Sequence, residues 1–142
     1  MSTKTGQCLC GAVRFKLNAD PISVRVCWCR DCQRIAANGS VSVIAPAEAV
    51  EVDGELSDYV STASSGNQIT RRFCSKCGAH VLAKSSARPQ FTVLRAGTFD
   101  DPSAVGPSMN IWVRSAPTWA CLDPKLERVE EQPGAARPFA SR

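Results

Sequence analysis

Apolar and polar residues alternate over short stretches along most of this chain, which is the period of a half-buried β-strand. The first clear case is VRFKL at residues 13–17, where every second residue is apolar. Further strands are predicted at residues 22–27, 40–45, 48–52, 56–61, 68–74, 80–83, 91–95 and 110–113. One short helical turn is predicted at residues 30–37, and Asn38-Gly39 ends it. No other helix is predicted, because no stretch keeps a helical period for three turns. The pattern therefore predicts an all-β protein.

The length of the chain and the composition of its last residues predict a single domain. At 142 residues the chain is large enough for one core, which we place at residues 1–130. Residues 131–142 (EQPGAARPFASR) are rich in proline, alanine and arginine, which predicts a flexible tail. No apolar run reaches the roughly 18 residues of a membrane span, so no membrane contact is predicted. The polar start MSTKTGQC has no apolar leader, which predicts a cytoplasmic protein with reduced thiols.

The charge of the chain changes this picture little. The formal net charge of +4 counts every cysteine as neutral. Zinc sites with four and with three thiolates would together lower it to about +1. Lysine and arginine are also scattered along the chain, apart from the pair Arg71-Arg72. The composition therefore predicts a solvated surface and no nucleic-acid partner.

Seven of the eight cysteines fall into three tight groups. The groups are a C-x-C at Cys8 and Cys10, a C-x-C-x-x-C at Cys27, Cys29 and Cys32, and a C-x-x-C at Cys74 and Cys77. We call Cys8, Cys10, Cys74 and Cys77 the quartet, and Cys27, Cys29 and Cys32 the trio. Alternate strand residues share a face, so a C-x-C aims both thiols at one point, and Gly78 permits the tight turn of a C-x-x-C. Zinc holds thiolates tetrahedrally at about 2.3 Å, so this spacing predicts bound zinc.

The number of cysteines predicts two zinc sites of different kinds. A closed structural site needs four ligands, which the quartet supplies. The trio has the ligand number of a catalytic zinc whose fourth position is open to water or substrate. Three alternatives stay open at this point. Cys121 completes the trio, the trio is a redox-active thiol group without metal, or the cysteines form disulfides.

The order of the motifs resembles the glutathione-dependent formaldehyde-activating enzyme family, which includes centromere protein V. The resemblance is carried by GQCLCGAVRF from Gly6, VCWCRDCQ from Val26, RRFCSKCG from Arg71 and NIWVRSAPTW from Asn110. It implies a β-tent, in which antiparallel sheets lean together over a zinc site. It also implies that the quartet holds a structural zinc and that catalysis belongs to the trio.

Three positions depart from the pattern of that family. Trp28 stands between the first two cysteines of the trio, where histidine is common. Asn110 stands where a late strand commonly begins with His-Ile, and Thr118 separates Pro117 from Trp119 in the closing motif. All three changes lie where the resemblance places the open site.

The chemistry of a three-thiolate site predicts a carbon–sulfur lyase. A thiol in the open position loses its proton and adds to an aldehyde, and the reverse reaction cleaves a carbon–sulfur bond. The predicted substrate is a small-molecule thiol/aldehyde adduct, such as one of the S-hydroxymethylglutathione type. Because such a ligand carries carboxylates, the candidate substrate-binding residues are cations and pocket-forming residues: Trp28, Arg30, Arg34, Asn110 and Trp119, with Trp112 as a further wall. The rival hypothesis is a non-catalytic zinc-stapled binding module in which the trio is a second structural clip.

Two residues with reactive side chains remain outside these groups. His80 follows Cys77 too closely to reach a zinc that four thiolates already fill, so it is predicted to be a hydrogen-bonded strand residue. Cys121 is predicted to be a packed free thiol. A late cysteine is also catalytic in methionine-R-sulfoxide reductases, which share the β-tent. The resemblance to them is weaker, because their zinc is held by two C-x-x-C pairs.

Overall fold

A computed structural model describes residues 2–63 and 65–133 of the chain, and short strands form its framework. The strands are β1 Lys4–Gln7, β2 Arg14–Leu17, β3 Ser23–Cys27, β4 Ser40–Pro46, β5 Val50–Asp53, β6 Leu56–Thr62, β7 Gln68–Cys74, β8 His80–Ser85, β9 Phe91–Arg95, β10 Met109–Ile111 and β11 Glu127–Arg128. The α-helix α1 covers Arg30–Ala36, and 3-10 turns cover Ala47–Ala49, Ala96–Thr98, Pro102–Val105 and Val113–Ser115. The predicted all-β class is confirmed.

The strands are arranged in two sheets. A three-stranded antiparallel sheet has the order β1-β2-β5, and an eight-stranded sheet has the order β11-β10-β3-β4-β9-β8-β7-β6. The pairings are antiparallel, as predicted, except that β10 runs parallel to both β3 and β11. A hairpin cannot join two parallel neighbours, so a long connection must link them. Along the chain, β3 and β10 are separated by all the strands from β4 to β9.

The core lies between the two sheets. From β2, Phe15 and Leu17 point into it, and from the larger sheet Val43 and Leu94 meet them, all four nearly or fully buried. The ring of Phe99 packs edge-on against Phe15 with 5.1 Å between centroids. The alternation in VRFKL thus marks the face of β2 that is buried against the larger sheet.

The opposite face of the eight-stranded sheet forms the floor of a cavity. On β4, Val43 and Ala45 belong to the core, whereas Ser42 and Ile44 line the cavity. On β9, Val93 lines the cavity while its neighbour Leu94 is in the core. The two-residue period of a strand therefore sorts the same strands into a packing face and a cavity face.

Some elements differ from the sequence prediction. The stretch predicted as a strand at residues 48–52 begins as the 3-10 turn Ala47–Ala49, and β5 starts only at Val50. The strand predicted at residues 110–113 ends at Ile111, because Trp112 adopts a left-handed conformation with φ of 58°. Strands β1 and β11 were not predicted, since neither shows alternating apolar residues and β11 has only two residues.

The predicted tail begins inside the described part of the chain. The backbone N–H of Trp112 donates to the carbonyl of Glu131 at 3.2 Å, and its indole Nε1 donates to Gln132 Oε1 at 3.1 Å. Residues 134–142 lie outside the described residues. Within residues 2–63 and 65–133, no helix has the length and apolar character needed to cross a membrane.

Candidate active site

The quartet joins the loop after β1 to the end of β7. Cys8 Sγ lies 3.7 Å from Cys10 Sγ, which in turn lies 3.8 Å from Cys74 Sγ. The four Sγ atoms, including that of Cys77, all lie within 4.8 Å of one another. Gly78 has φ of 78°, so the turn after Cys77 uses the left-handed conformation that glycine adopts without strain. The pairing predicted from the spacing thus brings four thiols to one point.

The geometry of the quartet fits a zinc ion. Four sulfurs at about 2.3 Å from a tetrahedral zinc lie about 3.8 Å apart, which matches the measured separations of 3.7 and 3.8 Å. Backbone N–H groups of Val13 and Lys76 donate to the Sγ atoms of Cys8 and Cys74, each at 3.3 Å, and such bonds favour thiolates. Burial opposes ionisation of Cys8, but the bonds from Val13 and Cys74 outweigh it and lower the pKa of Cys8 to about 6.

The trio lies where β3 meets α1. Cys27 is the last residue of β3, Cys29 is the N-cap of α1, and Cys32 follows in its first turn. Their Sγ atoms lie within 4.8 Å of one another, and no fourth histidine, cysteine or carboxylate of the described residues joins them. Hydrogen bonds from the thiols of Cys27 and Cys32 lower the pKa of Cys29 despite its burial, and the charge of Arg71 lowers it further. Three sulfur donors at this spacing could also hold a metal ion.

The trio opens onto a cavity of about 640 Å³. This volume lies within the range of about 300–1,000 Å³ that small-molecule sites occupy. All three cysteines of the trio line the cavity, and no cysteine of the quartet does so. The trio therefore differs from the quartet in facing the cavity, as well as in its number of ligands.

Arginine dominates the charge of the cavity. Five arginines and one aspartate line it: Arg25, Arg30, Arg71, Arg88, Arg95 and Asp31. Apart from Arg30, these arginines were not among the predicted site residues. One signal was available, because Arg25 lies two residues before Cys27 on the same strand and so shares its face. Arg71 and Arg95 come from β7 and β9, and only the sheet register brings them to the trio.

Comparison with known proteins agrees with this geometry. The sequence model of the glutathione-dependent formaldehyde-activating enzyme family matches residues 3–115, a range that includes the quartet and the trio. The chain belongs to this family. The chain is similar to a Rhodobacter sphaeroides protein whose crystal structure is known, with a TM-score of 0.55 and 20% sequence identity. The similarity covers 68% of this chain and 88% of the Rhodobacter chain, which shows that the two share a fold. No curated protein matches the chain in sequence.

Two of the departures from the family pattern contact one another. The indole Nε1 of Trp28 donates to Oδ1 of Asn110 at 3.0 Å, and both side chains are almost completely buried. The indole also lies against Gly39, where an added Cβ would approach Trp28 Cε2 to 2.8 Å. Neither residue lines the cavity, and their hydrogen bond connects the residue after β3 to the neighbouring strand β10.

We expect Trp28→Phe to lower the free energy of unfolding by about 1–3 kcal/mol, because it leaves a buried amide without its donor. Asn110 Nδ2 already has no partner among the described residues, so the amide would then lack both bonds. Urea denaturation measures the loss. Trp119→Phe is the matched control, because Trp119 is 67% exposed. Equal stabilities of the two variants would contradict a structural role for the pair.

The other predicted substrate-binding residues divide into two groups. Arg30 and Trp112 line the cavity, as their proposed role requires. Arg34, one turn further along α1, and Trp119 are exposed and are not part of the cavity wall. Trp119 also lies beyond the residues that the family model matches.

Neither His80 nor Cys121 belongs to a cysteine cluster. The ring of His80 stacks on Phe73 with 5.6 Å between centroids. Its Nδ1 is buried without a partner in the described part of the chain, so the predicted hydrogen bond is not made by that atom. Burial, and then the charges of Arg95 and Arg71, lower the pKa of His80. Cys121 is exposed, which corrects the prediction that it is packed.

Proposed function

We propose that this protein is a zinc-dependent carbon–sulfur lyase that acts on the adduct of a thiol with an aldehyde, of the S-hydroxymethylglutathione type. The observation that carries the proposal is the position of the trio, whose three thiols line a cavity of about 640 Å³ with five arginines around it. Family membership supports a reaction of glutathione and formaldehyde. The quartet would hold a second, structural zinc, since its thiols do not reach the cavity.

The trio, the arginines and Trp112 would each have a separate role in the reaction. A zinc ion held by the trio would supply an open position that favours the ionised form of a bound thiol. Arginines at the rim of the cavity, such as Arg30, would bind the carboxylates of the thiol, because a guanidinium pairs with a carboxylate through two parallel hydrogen bonds. Trp112 would shield one side of the ligand. Cleavage breaks the carbon–sulfur bond, the hydroxyl proton of the adduct ends on sulfur, and the products are thiol and aldehyde.

Metal content and thiol binding test the proposal together. Elemental analysis of the purified full chain is expected to find two zinc ions per chain, one for each cluster. Titration of this protein with glutathione in a calorimeter is expected to show one binding event per chain. Formation of the adduct from glutathione and formaldehyde, followed by NMR, is expected to be faster with the protein than without it.

A zinc-loaded protein that neither binds glutathione nor changes the rate of adduct formation would overturn the proposal. The trio would then be a second structural clip, and the chain a binding module. One zinc ion per chain, located at the quartet, together with reversible oxidation of the trio would instead indicate redox chemistry.

A further inference from the structure

Two arginines on the cavity floor, Arg71 buried and Arg95 half-buried, have hydrogen-bonding capacity that the protein does not use. Arg95 Nη1 donates to the hydroxyls of Ser40 and Ser42, each at 3.1 Å, and Arg71 Nη1 donates to Ser61 at 2.9 Å. The Nε atoms of both arginines are buried and have no hydrogen-bond partner among the described residues. Buried donors in proteins are nearly always satisfied by protein, water or a ligand. Because both arginines line the cavity, a ligand bound there could supply the acceptors that the protein does not.

The same arginines lack carboxylate partners that would offset their charge. Within residues 2–63 and 65–133, no carboxylate lies within 4.0 Å of Arg95, and Arg71 has only Asp31, at 3.9 Å and 57% exposed. Burial lowers the pKa of Arg95, and the charge of Arg71 adds to this, although the Cys32 thiol acts in the opposite direction. Three thiolates on one zinc carry a net charge near −1, which offsets only about one of the two cations.

Both guanidinium groups lie beside the trio. Ser40 is the cross-strand partner of Cys27, so the Arg95 Nη1 that donates to Ser40 reaches the row of the sheet that holds Cys27. On the other side, Arg71 Nη2 approaches the carboxylate of Asp31, the residue before Cys32. The charge of Arg71 acts on the Cys29 thiol and that of Arg95 on the Cys32 thiol, so a substrate sulfur at the trio would have both cations near it.

That position does not suit the carboxylates of glutathione, because a peptide bond and its neighbouring carbons separate each of them from the sulfur. The rim arginines, such as Arg30, are better placed for them. The formaldehyde-derived carbon, which is bonded to the sulfur, carries only hydrogens and a hydroxyl. Its hydroxyl oxygen can accept a hydrogen bond from one of these arginines, but it carries no negative charge to offset the two cations.

Resting on the proposed function, we propose that Arg71 and Arg95 bind a carboxylate on the carbon attached to the substrate sulfur. The substrate class is then the adduct of a thiol with an aldehyde that carries a carboxylate, R–S–CH(OH)–COO⁻. Cleavage breaks the carbon–sulfur bond, moves the hydroxyl proton to sulfur, and releases the thiol and an oxo acid, of which glyoxylate is the simplest. No oxidant or reductant is needed.

Two small thiols test this assignment on the zinc-loaded full chain. Mercaptoacetate carries its carboxylate on the carbon attached to sulfur, whereas 2-mercaptoethanol carries a neutral hydroxymethyl group there. Calorimetry is expected to show at least about tenfold tighter binding of mercaptoacetate, or about 1.4 kcal/mol. In Arg95→Gln and Arg71→Gln this preference is expected to disappear, while 2-mercaptoethanol still binds. Arg72→Gln is the control, because Arg72 adjoins Arg71 on β7 but pairs with Asp58 outside the cavity.

Each outcome distinguishes the subsite from the underlying function. If the wild-type protein binds both thiols equally, the anion subsite is wrong and the thiol site stands. If neither thiol binds, the proposed lyase fails as well. If the preference survives in both glutamine variants, the carboxylate binds the metal itself and not the arginines. If a glutamine variant fails to fold, Arg95→Lys takes its place. Lysine keeps the positive charge but lacks the planar pair of donors, so most of the preference for mercaptoacetate is expected to be lost.

Discussion

Replacement of Cys74 with serine is expected to unfold the protein or to remove most of its stability. Cys74 is 1% exposed, and its Sγ accepts hydrogen bonds from the backbone N–H groups of Lys76 and Cys77. Zinc at the quartet would connect the N-terminal loop to the end of β7, across more than sixty residues of chain. The apparent binding free energy of a structural zinc, about 10–16 kcal/mol, is as large as the whole stability of a typical domain.

Thermal unfolding followed by circular dichroism, together with the zinc content, measures this effect. We expect no cooperative transition, or one at a much lower temperature, and a loss of about one zinc ion per chain. Cys121→Ser makes the same chemical change at an exposed cysteine outside both clusters and is expected to leave melting temperature and zinc content unchanged. An intact transition with full zinc content in Cys74→Ser would show that the quartet is not the structural site.

The cysteine sites could be predicted from the sequence because their ligands are close together along the chain. The C-x-C and C-x-x-C spacings place thiols side by side on a strand or in a turn, whatever the rest of the fold does. The pairing of Cys8 with Cys74 is distant in sequence, but the requirement for four ligands left few choices. The main strands could be predicted for a similar reason, since alternation is a local property.

The charge of the cavity could not be predicted in the same way. Arg95 reaches the trio only because β9 pairs with β4, which pairs with β3, and alternation does not determine which strands become neighbours. The contact of Trp28 with Asn110 depends likewise on the parallel pairing of β3 with β10. Each residue could be identified as unusual for the family, but their mutual hydrogen bond follows from the register.

Cys29→Ser is expected to abolish the proposed lyase activity and thiol binding while most of the stability remains. The trio spans six residues of one β3–α1 junction, so a metal ion there closes no long loop and constrains little of the chain. Serine is a favoured N-cap residue, and its hydroxyl would accept the hydrogen bond from the Cys32 N–H that Cys29 Sγ accepts at 3.3 Å. Gln33 Nε2 also ties α1 to the carbonyls of Trp28 and Ser115 without any metal.

The measurements are zinc content, glutathione titration, the rate of adduct formation followed by NMR, and thermal unfolding of the same Cys29→Ser preparation. A loss of about one zinc ion, no detectable thiol binding and a melting temperature close to that of Cys121→Ser are the expected results. If Cys29→Ser unfolds as completely as Cys74→Ser, the trio is a structural clip and the binding-module hypothesis replaces the lyase. If it keeps full zinc content and turnover, two thiolates suffice at the trio, and the chemistry must be assigned to Cys27 and Cys32 alone. Because the quartet lies outside the cavity, comparison of the two serine variants separates the structural role expected of the quartet from the chemical role proposed for the trio.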